Sequence, residues 1–315
     1  MTARRLIALG IALVLAPGLW WRTPVPPPDH MPPVDIRPIA IERQAFGPFG
    51  LQRGWELTPR DPYAGGYSAL LWRGGDTLLA ASDNGRLAEL VGPDFDEAEQ
   101  HAIFGTDSYD KIGRDIEALA GTPQGKVWAG VEARNAILRI SPALAIEDRV
   151  RPPAMARWRS NSGPETLARL PDDRFVVIAE RGREGEHEGI VFAGDPISND
   201  TGEQFRLEVP AGFRPVDGVA STDGTLLVLL RRLIWNVPAD FRTAIALYRI
   251  ADLEPRAVWR PTAHYALPEG APFENYEGIA LRPEANGGAT VWLISDDNLS
   301  GFQRSLLLEL TYRPS

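Results

Sequence analysis

Cysteine is absent from this 315-residue sequence. That removes disulfides, thiolate nucleophiles and cysteine-based zinc sites together, and it leaves the compartment open. Positive charge is in short supply. Lys and Arg number 33 against 42 Asp and Glu, a net charge of -9, which argues against a nucleic-acid partner, since that would need a concentrated basic face. There are four histidines, His30, His101, His187 and His264, and they show no metal-ligand spacing. His187 falls in the polar run 184–188 and is expected to be a solvated loop residue. No G-x-S-x-G elbow is present, and no glycine-rich phosphate loop opens a helix, so a serine hydrolase of the usual α/β type is unsupported. Sustained 3.6-residue periodicity is almost missing beyond residue 34, which argues against a helical domain.

The N-terminus carries what the rest of the chain lacks. Arg4 and Arg5 precede an apolar run from Leu6 to Leu15 that continues through Leu19, Trp20 and Trp21 to Arg22. A charged start and a short apolar stretch are the marks of an export signal. Ala16-Pro17-Gly18 is a poor small-x-small cleavage site, so an uncleaved anchor is the alternative, although the run is short of the ~20 residues a bilayer span needs. No cysteine follows, so lipoprotein processing is excluded. Residues 1–22 are thus expected to direct the protein to the periplasm or the exterior, with membrane contact through this segment alone. Residues 23–38 hold seven prolines, Pro24, Pro26, Pro27, Pro28, Pro32, Pro33 and Pro38, and read as an extended spacer. Residues 39–315 are left as the folded domain.

That domain is a succession of short Val/Ile/Leu/Trp/Tyr-rich runs broken by Gly, Pro, Asp and Asn, the pattern of an all-β fold. A phrase recurs in it. Tyr67-Ser68-Ala69-Leu70, Ile116-Glu117-Ala118-Leu119, Pro164-Glu165-Thr166-Leu167, Val216-Asp217-Gly218-Val219 and Tyr276-Glu277-Gly278-Ile279 all place an acid, or Ser, before a small residue and an apolar one. The marker positions lie 49, 48, 52 and 60 residues apart, which is the period of a propeller or array. Four strands fit in each unit except the last, which has three. The run 34–41 or 51–57 is expected to supply its missing strand. The expected fold is a β-propeller with five four-stranded blades, or with a degenerate sixth, closed by an N-terminal strand. In the fourth unit the run 258–267 is taken as one strand.

A second marker follows the first by 15 residues. Ser68 leads to Asp83, Glu117 to Glu132, Glu165 to Glu180 and Asp217 to Arg232, while Glu277 leads at 19–20 to Asp296 and Asp297. A strand of about five residues, a turn and an antiparallel return bring both markers to the same end of one hairpin. Ten carboxylates then gather at one mouth: Asp83, Asp115, Glu117, Glu132, Glu165, Glu180, Asp217, Glu277, Asp296 and Asp297. So many acids in a funnel demand counter-charge. A hard cation such as Ca²⁺, which takes six to eight oxygen ligands, is one source, and arginine is the other. The expected metal ligands are Glu117, Glu165, Asp217, Glu277, Asp296 and Asp297, with the last blade, carrying the double acid, the first choice. Glu132 or Glu180 is expected to serve as general base, and Arg181, Arg231 and Arg232 to hold a substrate anion.

Several segments then match a known family. Gly65-Gly66-Tyr67-Ser68-Ala69-Leu70, Ser82-Asp83-Asn84-Gly85, Asp115-Ile116-Glu117-Ala118-Leu119-Ala120, Gly163-Pro164-Glu165-Thr166-Leu167-Ala168, Leu229-Leu230-Arg231-Arg232, Asn275-Tyr276-Glu277-Gly278-Ile279-Ala280 and Ser295-Asp296-Asp297-Asn298 resemble, in kind and order, the phytase-like family, also called "esterase-like activity of phytase". The resemblance covers about residues 63 to 311. It implies an exported β-propeller, a substrate that is a phosphoester or simple ester, and, by analogy with phytase propellers, calcium in an acidic channel. One departure is Tyr67, where the family has a smaller residue, and it is expected to narrow the mouth. The expected function is an exported, calcium-dependent hydrolase of a small anionic or ester substrate. Two readings stand beside it: a binding propeller without catalysis, and a lactone or sugar-ester hydrolase with the same acid-lined axis.

Overall fold

The computed structural model describes residues 31–61, 64–104, 114–122, 124–159, 163–183, 185–234, 240–299 and 303–314, with Arg181 described by its backbone alone. The expected export signal and the first half of the proline spacer, residues 23–30, lie outside the described residues. Within them the protein is all-β, with two short 3-10 turns at Pro153–Met155 and Ile250–Asp252 and no α-helix.

Three strands come first: β1 (Val34–Ile39), β2 (Gln44–Phe46) and β3 (Phe49–Thr58). Five antiparallel groups follow in chain order. Group one is β4 (Tyr67–Gly74), β5 (Thr77–Ser82), β6 (Arg86–Val91) and β7 (Glu97–Ala102). Group two is β8 (Ile116–Gly121), β9 (Val127–Val131), β10 (Ala136–Ile140) and β11 (Ile146–Val150). Group three is β12 (Pro164–Arg169), β13 (Phe175–Arg183), β14 (Glu186–Phe192) and β15 (Gly202–Glu208). Group four begins with β16 (Arg214–Ala220), β17 (Thr225–Ile234) and β18 (Asp240–Arg249). The run expected as its last strand is two strands. β19 (Val258–Trp259) pairs in parallel with β15 of group three, and β20 (Ala263–Ala266) pairs with β18. Pro261 separates them, and a proline cannot continue the ladder. Group five is β21 (Asn275–Pro283), β22 (Ala289–Asp296) and β23 (Ser305–Tyr312), and β3 pairs with β23 as its fourth strand.

β1 joins the ends of this arrangement by pairing with both β3 and β7, so groups one and five share one sheet. Sheet structure therefore starts at Val34, ahead of the boundary expected at residue 38. Pro38 is accommodated because β1 pairs with β7 through Val34 and Asp35 alone, which leaves the later residues of that edge without a required amide donor.

The first strands touch in sequence, β4 with β8, β8 with β12, β12 with β16 and β16 with β21, and β21 returns to β4. The groups thus stand round a common centre. The core is divided the same way, into five clusters that each lie between consecutive groups. Leu79 and Leu87 of group one pack with Leu119 and Val127 of group two, and Trp55, Leu307 and Trp292 of group five pack with Leu70 and Leu78 of group one. An inner strand is therefore covered on both faces, which is why β9, Val-Trp-Ala-Gly-Val, is buried at every residue. Tyr67 belongs to the cluster between groups five and one and is 2 % exposed, so it fills core and does not narrow a mouth.

Candidate functional site

Each inner strand opens with a β-bulge, and four of the five repeated markers are the residue the bulge leaves unpaired. Pairing steps past Ser68 in β4, Glu117 in β8, Glu165 in β12 and Glu277 in β21. A bulge re-aims one side chain without ending the strand, so these positions project together at one end of the ring. Group four differs by one residue. Pairing steps from Pro215 with Leu230 to Asp217 with Leu229, so the skipped residue is Val216. Asp217 stands one place further along and faces the other way, since a slip of one reverses every side chain in a strand.

The same slip corrects the second marker. Asp83, Glu132, Glu180 and Asp296 stand opposite Gly66, Asp115, Gly163 and Asn275 at the start of each hairpin. In group four the residue opposite Arg214 is Arg231, not Arg232. Arg232 instead lies over the Phe213 ring, 5.1 Å from its centroid.

Eight of the ten expected carboxylates line one open cavity of about 490 Å³: Asp83, Asp115, Glu117, Glu132, Glu165, Glu180, Glu277 and Asp296, with Arg231 and Asn298. The other two are fasteners. Asp217 is fully buried, its Oδ1 accepting the Gly218 amide at 2.7 Å and its Oδ2 the Ile279 amide at 2.8 Å. Asp297 accepts the amides of Gly66 and Leu299, each at 3.0 Å, and the Ser305 hydroxyl at 3.0 Å. Ser68 does similar work, donating its hydroxyl to the Ile116 carbonyl of group two. Asp217→Ala is expected to lower stability by about 2–3 kcal/mol through the two stranded amides, equally with and without calcium. Chemical denaturation in both conditions checks this, and a loss confined to the calcium sample would make Asp217 a ligand.

Arg231 is the lining's counter-charge. Its Nη1 donates to Asn275 Oδ1 at 2.9 Å and to Glu277, and its Nη2 donates to Glu180 Oε1 at 3.2 Å. Asn275 Nδ2 also donates to Glu277 Oε1, at 2.8 Å. Burial works against the guanidinium's charge, but Glu277, Glu180 and Glu165 outweigh it and hold its pKa above the ordinary value. One arginine cannot neutralise the rest. Burial first, then Glu165 and Glu277, keeps Glu117 well above the usual carboxylate range. Glu165 is raised in the same way by burial and by Glu180 and Glu132, with Arg231 pulling against them. Burial lifts Glu277 too, opposed by Arg231 and Asn275. Asp296 is pushed up to about 8, by burial and then by Glu277. Glu132 reaches about 7 through burial and the nearby Asp115 and Glu180, although the Gly163 amide and a hydrogen bond with Glu165 favour its charged form. Gly163 must be glycine for this contact, because a Cβ there would stand 2.5 Å from the Glu132 Cα.

One subset fits a metal ion. A carboxylate oxygen from each of Asp115, Glu117 and Glu132, all half-buried, lies within 4.8 Å of the other two. Oxygens bound to Ca²⁺ at 2.3–2.6 Å stand at most about twice that apart, so the set can converge on one hard cation with modest adjustment. This centres the candidate site on group two rather than on the last blade. Glu277 is engaged by Arg231, Asp297 by amides, and Asp296 Oδ1 accepts the Asn298 amide at 2.6 Å. Asp115 was legible as an acid of the mouth but not as a ligand, because it precedes the marker and repeats in no other group. The side chain of Arg181 lies outside the described residues. His187 is not solvated: it stands in β14, 4 % exposed, with Nδ1 3.2 Å from the Ala179 carbonyl, behind the irregularity in β13 that carries Glu180. Burial holds its pKa below the ordinary value.

Radial antiparallel sheets round an acid-lined cavity define the class of molecule. The chain belongs to the Phytase-like family, described as esterase-like activity of phytase, whose model matches residues 62–299. Among solved structures it is similar to the glutaminyl cyclase of Myxococcus xanthus, at 12% identity and a TM-score of 0.48, over 88% of this chain and 100% of that one. It is also similar to selenomethionine-substituted virginiamycin B lyase from Staphylococcus aureus, at 10% identity and a TM-score of 0.44, over 89% and 100%. A streptogramin B lyase stands at 13% and 0.42, over 83% and 98%. Likenesses this distant carry no functional weight. No curated protein matches the chain.

Proposed function

We propose that this protein is an exported five-bladed β-propeller hydrolase, with β3 completing the last blade, that cleaves a phosphoester or simple ester at the acidic mouth with the help of calcium. The observation that carries the reading is the convergence of Asp115, Glu117 and Glu132 on one side of a cavity whose other side holds Arg231. Membership of the Phytase-like family supports the hydrolytic class. Arg4, Arg5 and the apolar run after them support export, to the periplasm or beyond, with any membrane contact made by residues 1–22.

In this reading Asp115, Glu117 and Glu132 hold the cation, and Glu165, hydrogen-bonded to Glu132, closes the set. A calcium ion there would polarise the scissile group and lower the pKa of a water. Glu132 therefore moves from the role of base to that of ligand, and Glu180, beside Arg231, is left to take the proton from the attacking water. Arg231 keeps Glu180 and Glu277 in place and adds positive charge next to the developing oxyanion.

Glu117→Gln is expected to keep the fold, to remove most of the calcium-dependent rise in melting temperature, and to lower turnover by about 10²-fold or more. Calcium titration of thermal stability, paired with a panel of phosphoesters, simple esters and lactones, checks it. A wild-type protein that calcium does not stabilise and that cleaves none of the panel is a binding propeller instead. Cleavage of lactones alone would move the reading to the lactonase class.

A further inference from the structure

Three equivalent places at the start of each group's first hairpin allow the five groups to be compared position by position. Group two puts an acid at all three, Asp115, Glu117 and Glu132, whereas group four puts Arg214, Val216 and Arg231 there, with an acid at none of the three. The mouth is therefore polarised, with its most negative sector at group two and a positive sector at group four. Of the arginines in that sector, two are already committed. Arg231 spends both terminal nitrogens on Asn275, Glu277 and Glu180, and Arg232 is stacked on Phe213. Arg214 is different. Its side chain is 57% exposed, and its ion pair with Glu180, a lining residue, is a loose 3.5 Å from Nη1 to Oε1.

We propose that Arg214 is the residue that receives the anionic end of the substrate at the lip of the cavity, and so sets a preference for substrates that carry an oxyanion. This rests on the functional reading above for the place of the site, but the binding claim is separable from turnover. A pair this long whose guanidinium is mostly in solvent contributes little to stability, so Arg214 can leave Glu180 for a better partner. A planar fork with five donors matches a phosphate or carboxylate bidentately, as a lysine would not. Among the described residues that line the cavity there are eight acids and the one committed arginine, so an oxyanion passing over the lining itself meets carboxylates. Approach over group four also keeps a bound anion beside Arg231 and aims the rest of the substrate across the cavity at Asp115, Glu117 and Glu132.

The test is isothermal titration of the full-length protein, in calcium, with inorganic phosphate and separately with acetate, to distinguish a phosphoryl from a carboxylate preference. Arg214→Gln is expected to weaken the preferred anion about tenfold, Arg214→Lys about threefold, and Arg242→Gln, a control at the arginine stacked 4.6 Å from the Phe273 centroid, not at all. In turnover, Arg214→Gln is expected to raise KM for an anionic ester several-fold more than KM for a neutral one. Wild-type protein that binds neither anion overturns the proposal, as does Arg214→Gln binding like wild type or Arg242→Gln losing as much. A protein that binds phosphate through Arg214 yet cleaves no ester would uphold the anion site and sink only the hydrolase reading.

Discussion

Arg231→Met is expected to be the most damaging single change in the mouth, at about 3–5 kcal/mol of lost stability at neutral pH. Methionine fills much of the same space, so the loss is electrostatic rather than a cavity. The guanidinium joins Glu180 to Glu277 across two groups, and its removal leaves both carboxylates, with Glu165 nearby, without the cation that favours their charge. Removing one partner of a buried network costs far more than replacing the whole network by apolar groups. The deficit is expected to shrink at pH 5, where Glu277 and Glu165, whose pKa values burial raises and Arg231 opposes, take up protons. Arg231→Lys is expected to fall between, because a point charge cannot fork to both acids. Urea midpoints at pH 5 and pH 7.5 decide the matter. A deficit under about 1 kcal/mol, or one that does not change with pH, would mean that Arg231 does not carry this charge.

The second large effect is the pH dependence of the protein in chelator. Glu117, Glu165, Glu277, Glu132 and Asp296 all have folded pKa values above those of a free carboxyl, the last two at about 7 and about 8. A raised carboxyl pKa means that the folded state binds more protons than the unfolded chain over the window between the two values. Its contribution is complete below the unfolded value of 3.8 for Asp or 4.5 for Glu and is lost as pH climbs through the folded value. Stability without metal is therefore expected to fall from pH 5 to pH 8, by several kcal/mol in all. A cation binds the ionised forms, so calcium is expected to flatten that slope and to stabilise most at pH 8. Denaturation at four pH values, with chelator and with calcium, reads both slopes, and parallel curves would count against a cation among these acids.

The all-β class and its repeating antiparallel groups were legible because each group repeats its own punctuation. The phrase with an acid before a small residue recurs where an inner strand must bulge, and the run of Val, Leu and Ala after it is buried on both faces. The hairpin returns were right in four groups for the same reason. The errors came where one residue decides direction. Val216-Asp217-Gly218 reads like Tyr276-Glu277-Gly278, and nothing in its composition says that the bulge falls one place earlier, on Val216. That slip turned Asp217 into a fastener and exchanged Arg232 for Arg231. Asp297 misled for a related reason: two adjacent acids look like a ligand pair, but the register of β22 sends one to the cavity and the other to the amides of Gly66 and Leu299. His187 was misread because the polar residues around it resemble a loop, whereas β14 runs through them and tucks the imidazole behind β13.

The pairing of β3 with β23 bears on how the mouth comes into existence. Hairpins within a group join neighbours in sequence, but the Arg53–Glu309 bridge on that seam joins residues 256 positions apart. Groups one and five meet across it and bring Asp83 from one side and Glu277 and Asp296 from the other. Contacts of that span are entropically the most expensive in the chain. While the seam is open the acids stay spread out in water and repel one another weakly. Once it shuts, like charges are crowded together. A cation at Asp115, Glu117 and Glu132 would draw those ligands from one hairpin, but the charge of Glu277 beside Glu117 arrives only when the seam shuts, so its binding would be tightest in, and by mass action would favour, molecules whose two ends have found each other.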